Sequence, residues 1–314
     1  MNILITGING LIGKHWAQTA LEKGWEVAGI DRKPAPGANT PIFAENTQYC
    51  DILDSQALQD VFIRYRPDLV VHLAAQSFSA ISWQMEELTH NTNYFGTLRI
   101  LQTTRKIVPH AQVILPSTSL VYGIAKPEHC PLGEDRPLKP VTPYAVTKAA
   151  GEHLGYQYYQ NFGLQVFLPR FFNLLGPGHQ PNTAVQNFSR QLALIKLKKQ
   201  EPILNVGNLE AGRDFLDVRD AISAMLCMIE KGHPGEPLNI CSGRSMTIAE
   251  ILKTLIEVSG LQVTVQKDSA RLRPSDEPLL YGDNTALKKL GWKAIYSLEE
   301  TLQTVYADWL EREK

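Results

Sequence analysis

Long hydrophobic runs are absent from this sequence, and no apolar stretch approaches the roughly 18 residues of a transmembrane helix. No charge of one sign dominates, since 31 Lys and Arg face 32 Asp and Glu for a net charge of -1. That balance gives no electrostatic reason to expect nucleic acid or an anionic membrane as a partner. The 4 cysteines are few and far apart, at positions 50, 130, 227 and 241. Their spacing fits no metal site, so we expect no metal and reduced thiols in a cytoplasmic protein.

Short apolar runs alternate with helical patterns through the first half of the chain. Hydrophobic residues make up 44% of the 314 residues, which is enough for a core and excludes a largely disordered chain. Predicted strands and helices take turns over 2–6, 14–23, 25–30, 67–74, 96–106, 111–116, 145–162 and 166–169. This alternation predicts an α/β fold with a parallel sheet covered on both faces. After about residue 170 glycine and proline become frequent, and the alternation of strands and helices resumes only in part, at 215–229 and 238–241.

A glycine-rich turn joins the first predicted strand to the first predicted helix. Gly7, Gly10 and Gly13 are spaced G-x-x-G-x-x-G. Glycine lets the backbone approach a pyrophosphate closely, and the helix N-terminus offers N–H groups and the positive end of its dipole to the phosphates. Because a predicted strand precedes the glycine pattern and a predicted helix follows it, the pattern predicts dinucleotide binding. The alternative is a tight turn that holds no ligand.

Acidic residues follow the next predicted strands. Asp31 ends the second strand, where a carboxylate accepts hydrogen bonds from the adenosine ribose 2′-hydroxyl, which favours NAD. Arg32 and Lys33 come directly after it; they are either solvated loop charges or a site for the 2′-phosphate of NADP, which Asp31 would repel. Asp51 and Ile52 follow another run, where the carboxylate either approaches the adenine or only forms a turn.

A tyrosine and a lysine lie four residues apart in the longest predicted helix. At this spacing Tyr144 and Lys148 share one helix face, although an exposed pair without function has the same pattern. A phenol with a pKa of about 10 is a poor base at neutral pH, and a neighbouring ammonium lowers that pKa by stabilising the phenolate. Thr118 lies just after a predicted strand, at the sheet edge where such folds bind ligands. One hydroxyl, one phenol and one ammonium can jointly hold a carbonyl or alcohol oxygen and move its proton.

Further motifs run in one order over nearly the whole chain. Together they resemble the extended short-chain dehydrogenase/reductases, the NAD-dependent epimerase/dehydratase family that acts on nucleotide sugars. The stretches that carry this resemblance are TGINGLIG at 6–13, HLAAQ at 72–76, NYFGT at 93–97, STSLVYG at 117–123, PYAVTK at 143–148, RFFN at 170–173 and RDFLDVRD at 213–220. The resemblance implies a Rossmann fold, a doubly wound parallel sheet with a smaller, interleaved C-terminal substrate lobe. We expect a dinucleotide-binding domain of 1–169 and about 214–241, and a nucleotide-sugar-binding lobe of about 170–213 and 242–314.

The C-terminal half is most similar to reductases of GDP-4-keto-6-deoxy-D-mannose and to GDP-mannose 4,6-dehydratases, over 199–203, 206–211, 239–243, 272–276 and 291–293. One position departs from the dehydratases. They carry a Glu, often after an Asp, between the catalytic Thr and the next Tyr, and this Glu removes the sugar C5 proton. Ser119 and Leu120 stand there, and because leucine takes no proton, the departure argues against dehydration. The reductases often keep an acid at this place too, whereas a 4-epimerase needs none.

The resemblance also implies roles for individual residues. Tyr144 is the acid/base, Lys148 holds the nicotinamide ribose and tunes the phenol, and Thr118 hydrogen-bonds the reacting oxygen. The implied cofactor-binding residues are Gly7, Asn9, Gly10, Leu11, Ile12, Gly13, Asp31, Arg32, Asp51, Ile52, Leu73, Ala74, Ala75, Gln76, Asn93, Tyr144, Lys148 and Phe171. The implied substrate-binding residues are Ser77, Phe78, Ser119, Asn173, Arg213 and Arg273. The alternatives are an ion pair of Arg213 with Asp214 or Asp217, and a loop-capping role for Asn173.

The reaction that these features favour is reduction of a 4-keto hexose carried on a nucleoside diphosphate, with GDP as the expected nucleotide. The expected cofactor is NAD, and NADP stays open. The alternative is an NDP-sugar 4-epimerase with tightly bound NAD. A 4,6-dehydratase and a non-catalytic dinucleotide sensor are disfavoured, the first by Leu120 and the second by the complete set of Thr118, Tyr144 and Lys148.

A homodimer is expected by resemblance, through the helix after Gly96 and the helix that bears Tyr144. The second of these carries an apolar stripe of Ala149, Ala150, Leu154, Tyr158 and Phe162. Core packing within one chain needs such a stripe as well, so the stripe alone does not decide between the two.

Overall fold

The computed structural model describes residues 1–33, 43–268 and 278–314. The strands are β1 (Asn2–Thr6), β2 (Glu26–Asp31), β3 (Thr47–Tyr49), β4 (Leu69–His72), β5 (Gln112–Ile114), β6 (Ser117–Thr118), β7 (Gln165–Phe171), β8 (Asn173–Leu175), β9 (Ile203–Val206), β10 (Gly212–Arg213), β11 (Phe215–Asp217), β12 (Pro237–Ile240), β13 (Met246–Thr247), β14 (Thr264–Lys267) and β15 (Leu279–Leu280). The helices are α1 (Leu11–Glu22), α2 (Ser55–Tyr65), α3 (Ser79–Ser82), α4 (Glu86–His90), α5 (Gly96–Ile107), α6 (Pro143–Phe162), α7 (Ala184–Lys196), α8 (Val218–Lys231), α9 (Ile248–Ser259), α10 (Thr285–Lys289) and α11 (Leu298–Glu313). Short 3-10 turns lie at Ala44–Asn46, Ser119–Tyr122 and Pro127–His129, and a π-helical turn at Asn91–Phe95 leads into α5. No helix in the described ranges is both long and apolar enough to cross a membrane.

A parallel sheet forms the centre of the structure. Its strand order is β3-β2-β1-β4-β5-β7-β12, and β6 pairs with β7. The order reverses between β1 and β4, so the chain departs from these neighbours in opposite directions and leaves a crevice at their carboxyl ends. Strand β4 is buried along its whole length, as expected where helices cover both faces. The α/β fold class predicted from the alternation is confirmed.

Helices pack on both faces of the sheet. On one face Trp16 of α1 and Met225 of α8 pack against the strands. On the other face Phe62 of α2, Ile100 of α5 and Leu154 of α6 do the same. Burial of each such side chain contributes roughly 1.5–3 kcal/mol, so these two apolar layers hold the sheet and its helices together.

Helix α6 has well-formed ends. At its start the Thr142 hydroxyl accepts a hydrogen bond from the N–H of Ala145 at 3.1 Å, and Pro143 occupies the first helical position. At its end Gly163 has φ 68°, the left-handed conformation that stops a helix. Because the helix begins at the carboxyl edge of the sheet, Tyr144 in its first turn is carried to the crevice.

A second, smaller core lies in the C-terminal half. Phe188 of α7, Leu255 of α9 and Trp309 of α11 pack together there. The small sheets β13-β10-β15, β11-β8 and β14-β9 surround this core. Leu287 and Trp292, from the segment assigned to the substrate lobe, pack instead into the cluster under α1 and α8. The boundaries drawn at residues 170, 214 and 242 stay predictions.

Candidate active site

The glycine turn lies in the crevice between β1 and β4. Gly7 has φ +73°, and a Cβ on it would come within 2.9 Å of the backbone nitrogen of Ala74, just after β4. A Cβ on Gly13 would lie 2.3 Å from the carbonyl oxygen of Gly7. Both positions therefore require glycine, and the tight turn presents the first N–H groups of α1 to the space above, where they suit a pyrophosphate.

A cleft of about 920 Å³ opens over this turn. Of the residues predicted as site residues, those that line the cleft are Gly7, Asn9, Gly10, Leu11, Ile12, Gly13, Leu73, Ala75, Ser77, Phe78, Thr118, Tyr144, Lys148, Phe171, Asn173 and Arg213. Its described lining residues include no aspartate and no glutamate, whereas Lys14, Lys148 and Arg213 are among them. The charges on its walls therefore favour an anionic ligand.

Thr118, Tyr144 and Lys148 lie together on the cleft wall. Thr118 comes from β6, and its hydroxyl is hydrogen-bonded to the phenol of Tyr144. One turn further along α6, Lys148 donates from Nζ to the carbonyl oxygen of Pro116 at 2.8 Å. The backbone N–H of Tyr144 donates to Oγ of Ser82 in α3 at 3.3 Å. The structure thus brings the hydroxyl, phenol and ammonium predicted from the sequence into one anchored group, which can bind and protonate an oxygen.

Burial shifts both titrating groups of this site. The pKa of Tyr144 is raised to about 12, because burial penalises the phenolate more than the bond to Thr118 stabilises it. Burial also lowers the pKa of Lys148 to about 8. In the structure the Lys148 ammonium donates to Pro116, and its tuning of the phenol stays a prediction. At neutral pH Tyr144 is therefore a protonated phenol, the form that can give a proton to a carbonyl oxygen.

Asn93 supports the site from behind. It is buried in the π-helical turn, where its side chain accepts from the N–H of Gln76 at 2.8 Å and donates to the carbonyl of Gln76 at 3.0 Å. Its amide also donates to the Thr147 hydroxyl at 3.0 Å, and that hydroxyl donates to the carbonyl of Tyr144 at 2.7 Å. Asn93 therefore connects the loop after β4 to the start of α6, and direct cofactor contact stays a prediction.

His72 ends β4 as a neutral core residue. The Thr97 hydroxyl donates to the carbonyl of Asn93 at 2.6 Å, so it accepts from Nε2 of His72 at 3.1 Å. Nδ1 then accepts from the Thr6 hydroxyl at 2.8 Å. Burial, with a smaller effect of the Lys148 charge, lowers the pKa of His72 to about 3. Within the described ranges no three His, Cys, Asp or Glu side chains gather as a metal site.

Asp31 ties the end of β2 to the glycine turn. Its two carboxylate oxygens accept from the backbone N–H of Asn9 at 3.0 Å and of Arg32 at 2.8 Å. The carboxylate is thus fixed beside the turn, where the adenosine ribose of a bound dinucleotide lies in this fold. The Arg32 side chain is exposed. The cofactor roles of both residues stay predictions.

Other predicted cofactor residues lie outside the cleft lining. Asp51 is exposed and accepts from the N–H of Leu53 at 2.8 Å, which is its turn-forming role. Ile52 is 5% exposed and belongs to the core on that face of the sheet. Gln76 uses its side chain within its own loop, accepting from the N–H of Phe78 at 2.6 Å. Cofactor contact by these side chains stays a prediction.

The predicted substrate residues divide into two groups. Ser77, Phe78, Asn173 and Arg213 line the cleft. Ser119 is 4% exposed in the turn after Thr118, outside the lining. Arg273 lies outside the described residues.

The alternative role predicted for Asn173 is found in the structure, whereas the ion pair of Arg213 with Asp214 or Asp217 is not. The Asp214 carboxylate accepts from backbone N–H groups of Ser242 and Gly243, at 2.7 and 3.0 Å, and Asp217 pairs with Arg219 at 2.7 Å. Neither carboxylate forms the predicted alternative ion pair with Arg213. Asn173 does donate from Nδ2 to the carbonyl of Asp214 at 3.0 Å, which is the capping role, while it also lines the cleft.

Several cleft residues escaped the sequence analysis. Lys14, His179 and Phe188 line the cleft, and Ser82 contacts the backbone of Tyr144. Lys14 directly follows Gly13, so the glycine motif itself was a signal for it. The other three come from loops and helices distant in the chain, whose docking no local pattern indicates.

The family follows from comparison with known proteins. A family model described as GDP-mannose 4,6 dehydratase matches residues 4–305, nearly the whole chain. The chain belongs to the GDP-mannose 4,6-dehydratase family. The resemblance to extended short-chain dehydrogenase/reductases that act on nucleotide sugars is thereby confirmed.

Relatives of this family member include both reductases and dehydratases. The GDP-6-deoxy-D-mannose reductase of Pseudomonas aeruginosa is 30% identical over 311 residues, covering 99% of this chain and 97% of the relative. The human GDP-mannose 4,6 dehydratase is 29% identical over 342 residues, covering 97% of this chain and 90% of the relative. Identity alone therefore does not separate the two reactions.

Solved structures of similar proteins contain the expected ligand classes. RMD from Pseudomonas aeruginosa, complexed with NADPH, has a TM-score of 0.87 at 29% identity and covers 99% of this chain and 100% of its own. UDP-glucose 4-epimerase from Thermotoga maritima, with UDP-glucose, has a TM-score of 0.87 at 27% identity and covers 100% of both chains. The doubly wound fold predicted for this family member is confirmed by both.

Proposed function

We propose that this protein is an NAD(P)-dependent oxidoreductase that reduces the 4-keto group of a hexose carried on GDP. The joint placement of the glycine turn and of Thr118, Tyr144 and Lys148 on one cleft supports dinucleotide-dependent chemistry on an oxygen. The GDP-6-deoxy-D-mannose reductase relative, matched over almost its full length, supports the reductive direction and the nucleotide.

The observation that carries reduction rather than dehydration is the lack of a carboxylate among the described residues that line the cleft. Its described lining residues include no Asp or Glu. Leu120, at the position of the dehydratase acid, packs instead against the apolar cluster that contains Tyr122 and Phe172. Removal of the sugar C5 proton needs a base, and this cleft presents none at that position. Reduction needs only a hydride and the proton of Tyr144.

The residues present fit a bound dinucleotide. The glycine cradle at Gly7 and Gly13 leaves no room for a Cβ but accepts a phosphate. Two buried polar atoms at the cleft, Oδ1 of Asn9 and Oγ of Ser117, have no hydrogen-bond partner among the described residues and suit a polar ligand. When bound, the dinucleotide supplies the hydride for C4 of the sugar.

The protein's own residues then handle the proton. Thr118 adjoins the phenol and hydrogen-bonds the reacting oxygen. Tyr144 gives its proton to the oxygen as negative charge develops there. The Lys148 ammonium is charged at pH values below its pKa of about 8, and it stabilises the phenolate that remains. The closed, desolvated wall strengthens each of these interactions.

NAD is the cofactor that we propose, with NADP as the second choice. The Asp31 carboxylate is held beside the glycine turn by two backbone N–H groups, and its charge repels a 2′-phosphate. The NADPH in the Pseudomonas aeruginosa structure keeps NADP as an alternative.

A 4-epimerase is the second candidate function. The Thermotoga maritima UDP-glucose 4-epimerase matches this chain over its full length with a TM-score of 0.87. Epimerisation at C4 also uses one tyrosine and needs no carboxylate. The difference lies in the fate of the cofactor, which an epimerase reoxidises within one turnover.

Cofactor stoichiometry tests these functions. Purified protein is mixed with a GDP-4-keto-6-deoxyhexose and NADH or NADPH, and both the nicotinamide and the sugar are measured. We expect one reduced cofactor consumed for each 6-deoxyhexose formed, and no 4-keto product from GDP-mannose with NAD or NADP. Isomerisation of a GDP- or UDP-hexose without net cofactor change would assign the epimerase instead.

A homodimer is the proposed assembly. Of the predicted apolar stripe on α6, Leu154 and Tyr158 are buried in the core of their own chain, so these two residues serve core packing, the stated alternative. Phe95 in the π-helical turn before α5 is 47% exposed, and Val146 and Phe162 on α6 are 41% and 46% exposed. Light scattering is expected to give twice the mass of the 35.1 kDa chain, and a monomer would contradict the proposal.

The cytoplasm is the proposed compartment. All four cysteines are free thiols in the structure, as is typical of proteins in a reducing environment. Fractionation of the source cells is expected to place the reductase activity with the cytoplasmic enzymes.

A further inference from the structure

Lys14 is a cleft cation that the catalytic group does not use. It follows Gly13 in the first turn of α1, and its backbone N–H donates to the carbonyl of Gly10 at 3.0 Å. Its side chain is half-buried and lines the cleft. The charge of Lys14 is therefore carried on the same turn that presents backbone N–H groups to a phosphate.

The stem of Lys14 reaches across to the opposite wall. A Cβ on Gly178 would lie 4.0 Å from Cδ of Lys14. That wall is fixed from behind by α11: the N–H of Gly178 donates to Asp308 at 2.9 Å, and Arg312 donates to the carbonyl of His179 at 2.7 Å. Arg312 and Asp308 also pair with each other at 3.2 Å. The stem of Lys14 thus lies beside an anchored loop of the facing wall.

No described residue supplies a counter-charge to this ammonium. In the part of the chain that the structure describes, Lys14 has no ion pair and no side-chain hydrogen bond, and Asp308 on the facing wall is taken by Arg312. Lys148, by contrast, is bonded to Pro116. An anion that enters the cleft beside Gly13 therefore meets an ammonium that no described carboxylate neutralises.

We propose that Lys14 binds the pyrophosphate of the dinucleotide, adding a charged ligand to the backbone N–H groups of the glycine turn. The inference rests on the proposed function, since it takes the dinucleotide as the occupant of this half of the cleft. The pyrophosphate of the nucleotide sugar is the competing anion. Lys14 is assigned to the dinucleotide because it adjoins Gly13, whereas Arg213 lines the cleft from β10 in the C-terminal half.

Calorimetric binding on the full chain tests this assignment. Wild type, Lys14→Met, Lys14→Arg and Lys23→Met are titrated with NADH or NADPH, whichever wild type binds more tightly, and separately with ADP-ribose, adenosine and GDP. Lys23 is the exposed cap at the other end of α1 and controls for loss of one positive charge.

The expected result is specific to ligands that contain the dinucleotide pyrophosphate. Lys14→Met raises the Kd of the dinucleotide and of ADP-ribose about ten-fold, as loss of one charge-assisted hydrogen bond does. It leaves the Kd values of adenosine and of GDP within about two-fold of wild type, and it makes the Kd of the dinucleotide less dependent on salt. Lys14→Arg restores most of the affinity, and Lys23→Met has none of these effects.

Three results would overturn the assignment. The first is an unchanged dinucleotide Kd in Lys14→Met. The second is weaker binding of GDP with unchanged binding of the dinucleotide. The third is an equal loss of dinucleotide affinity in Lys14→Met and Lys14→Arg. A wild-type chain that binds neither NADH nor NADPH would contradict the proposed function itself, so the two failures are distinguishable.

Discussion

The ammonium of Lys148 donates a hydrogen bond to the carbonyl oxygen of Pro116, with 2.8 Å between the two atoms. Pro116 stands two residues before Thr118, and Lys148 lies one helical turn after Tyr144. This one contact therefore connects the strand that carries the hydroxyl to the helix that carries the phenol. It therefore helps to hold the hydroxyl and the phenol on the same wall of the cleft.

The pH dependence of reduction is expected to report Lys148. Burial lowers its pKa to about 8 and raises that of Tyr144 to about 12. Below pH 8 the ammonium is charged and stabilises the phenolate formed on proton transfer; above pH 8 it is neutral and that stabilisation is lost. The kcat for reduction should therefore fall as the pH rises through about 8, and Lys148→Arg, which stays charged, should move the fall to higher pH. A kcat that stays flat or rises through pH 8 would contradict this role.

Removal of the phenolic hydroxyl is expected to abolish proton transfer. Tyr144→Phe should lower kcat by at least about 100-fold, the usual contribution of a general acid, while the Kd of the dinucleotide changes little. Tyr156→Phe is the matched control, since it makes the same change at an exposed site on the same helix. The measurement is steady-state kcat beside cofactor binding. Full turnover in Tyr144→Phe would remove Tyr144 from the mechanism.

Asp31→Asn is expected to shift the choice of cofactor. The amide keeps the shape of the side chain but removes the charge that repels a 2′-phosphate. It also keeps only one of the two oxygens that accept from the N–H groups of Asn9 and Arg32. The ratio of the Kd for NADPH to that for NADH should fall about ten-fold, a change of about 1.4 kcal/mol in relative binding. Asp60→Asn, at an exposed position in α2, should leave the ratio as in wild type. An unchanged ratio in both variants would show that Asp31 does not select the cofactor.

Local patterns were enough to predict the fold and the centre of the site. Gly7 and Gly13 are required by backbone geometry within one turn, and Tyr144 and Lys148 are neighbours through helix periodicity. Such relationships depend on a few consecutive residues, so they can be inferred from sequence. The raised pKa of Tyr144 could not be inferred from the sequence, because it depends on how deeply the folded cleft buries the phenol.

Contacts between distant elements are what the sequence did not reveal. The bond between Tyr144 and Ser82 joins residues 62 positions apart, and the wall facing Lys14 comes from a loop more than half the chain away. Leu154 and Tyr158 of the predicted stripe lie in the core because the sheet packs against that face of α6, whereas Phe162 is exposed. Which face of a helix meets the sheet depends on the docking of whole elements, and composition or spacing does not encode it.

A buried ion pair holds the helix of the catalytic tyrosine to the sheet. Arg170 of β7 and Glu152 of α6 form a two-point contact, with side chains only 4% and 6% exposed, and Arg170 also donates to the hydroxyl of Tyr122 at 3.0 Å. Glu152→Gln leaves the guanidinium buried without its charged partner. The free energy of unfolding should fall by about 3 kcal/mol, measured by urea denaturation.

The control for this variant is the same substitution at the surface. Glu257→Gln removes the exposed pair with Lys253 at 3.9 Å and should change the free energy of unfolding by less than about 1 kcal/mol. Equal effects of the two variants would mean that the Arg170 contact contributes no more than a surface pair.

Transfer of isotope from cofactor to sugar tests the central claim most directly. The protein is incubated with NADH deuterated at both C4 positions and a GDP-4-keto-6-deoxyhexose, and the product is analysed by NMR and mass spectrometry. The account predicts one deuterium, located at C4 of the sugar, for each cofactor oxidised. A 4-hydroxyl product without deuterium at C4, or an isomerised sugar with the cofactor unconsumed, would contradict it.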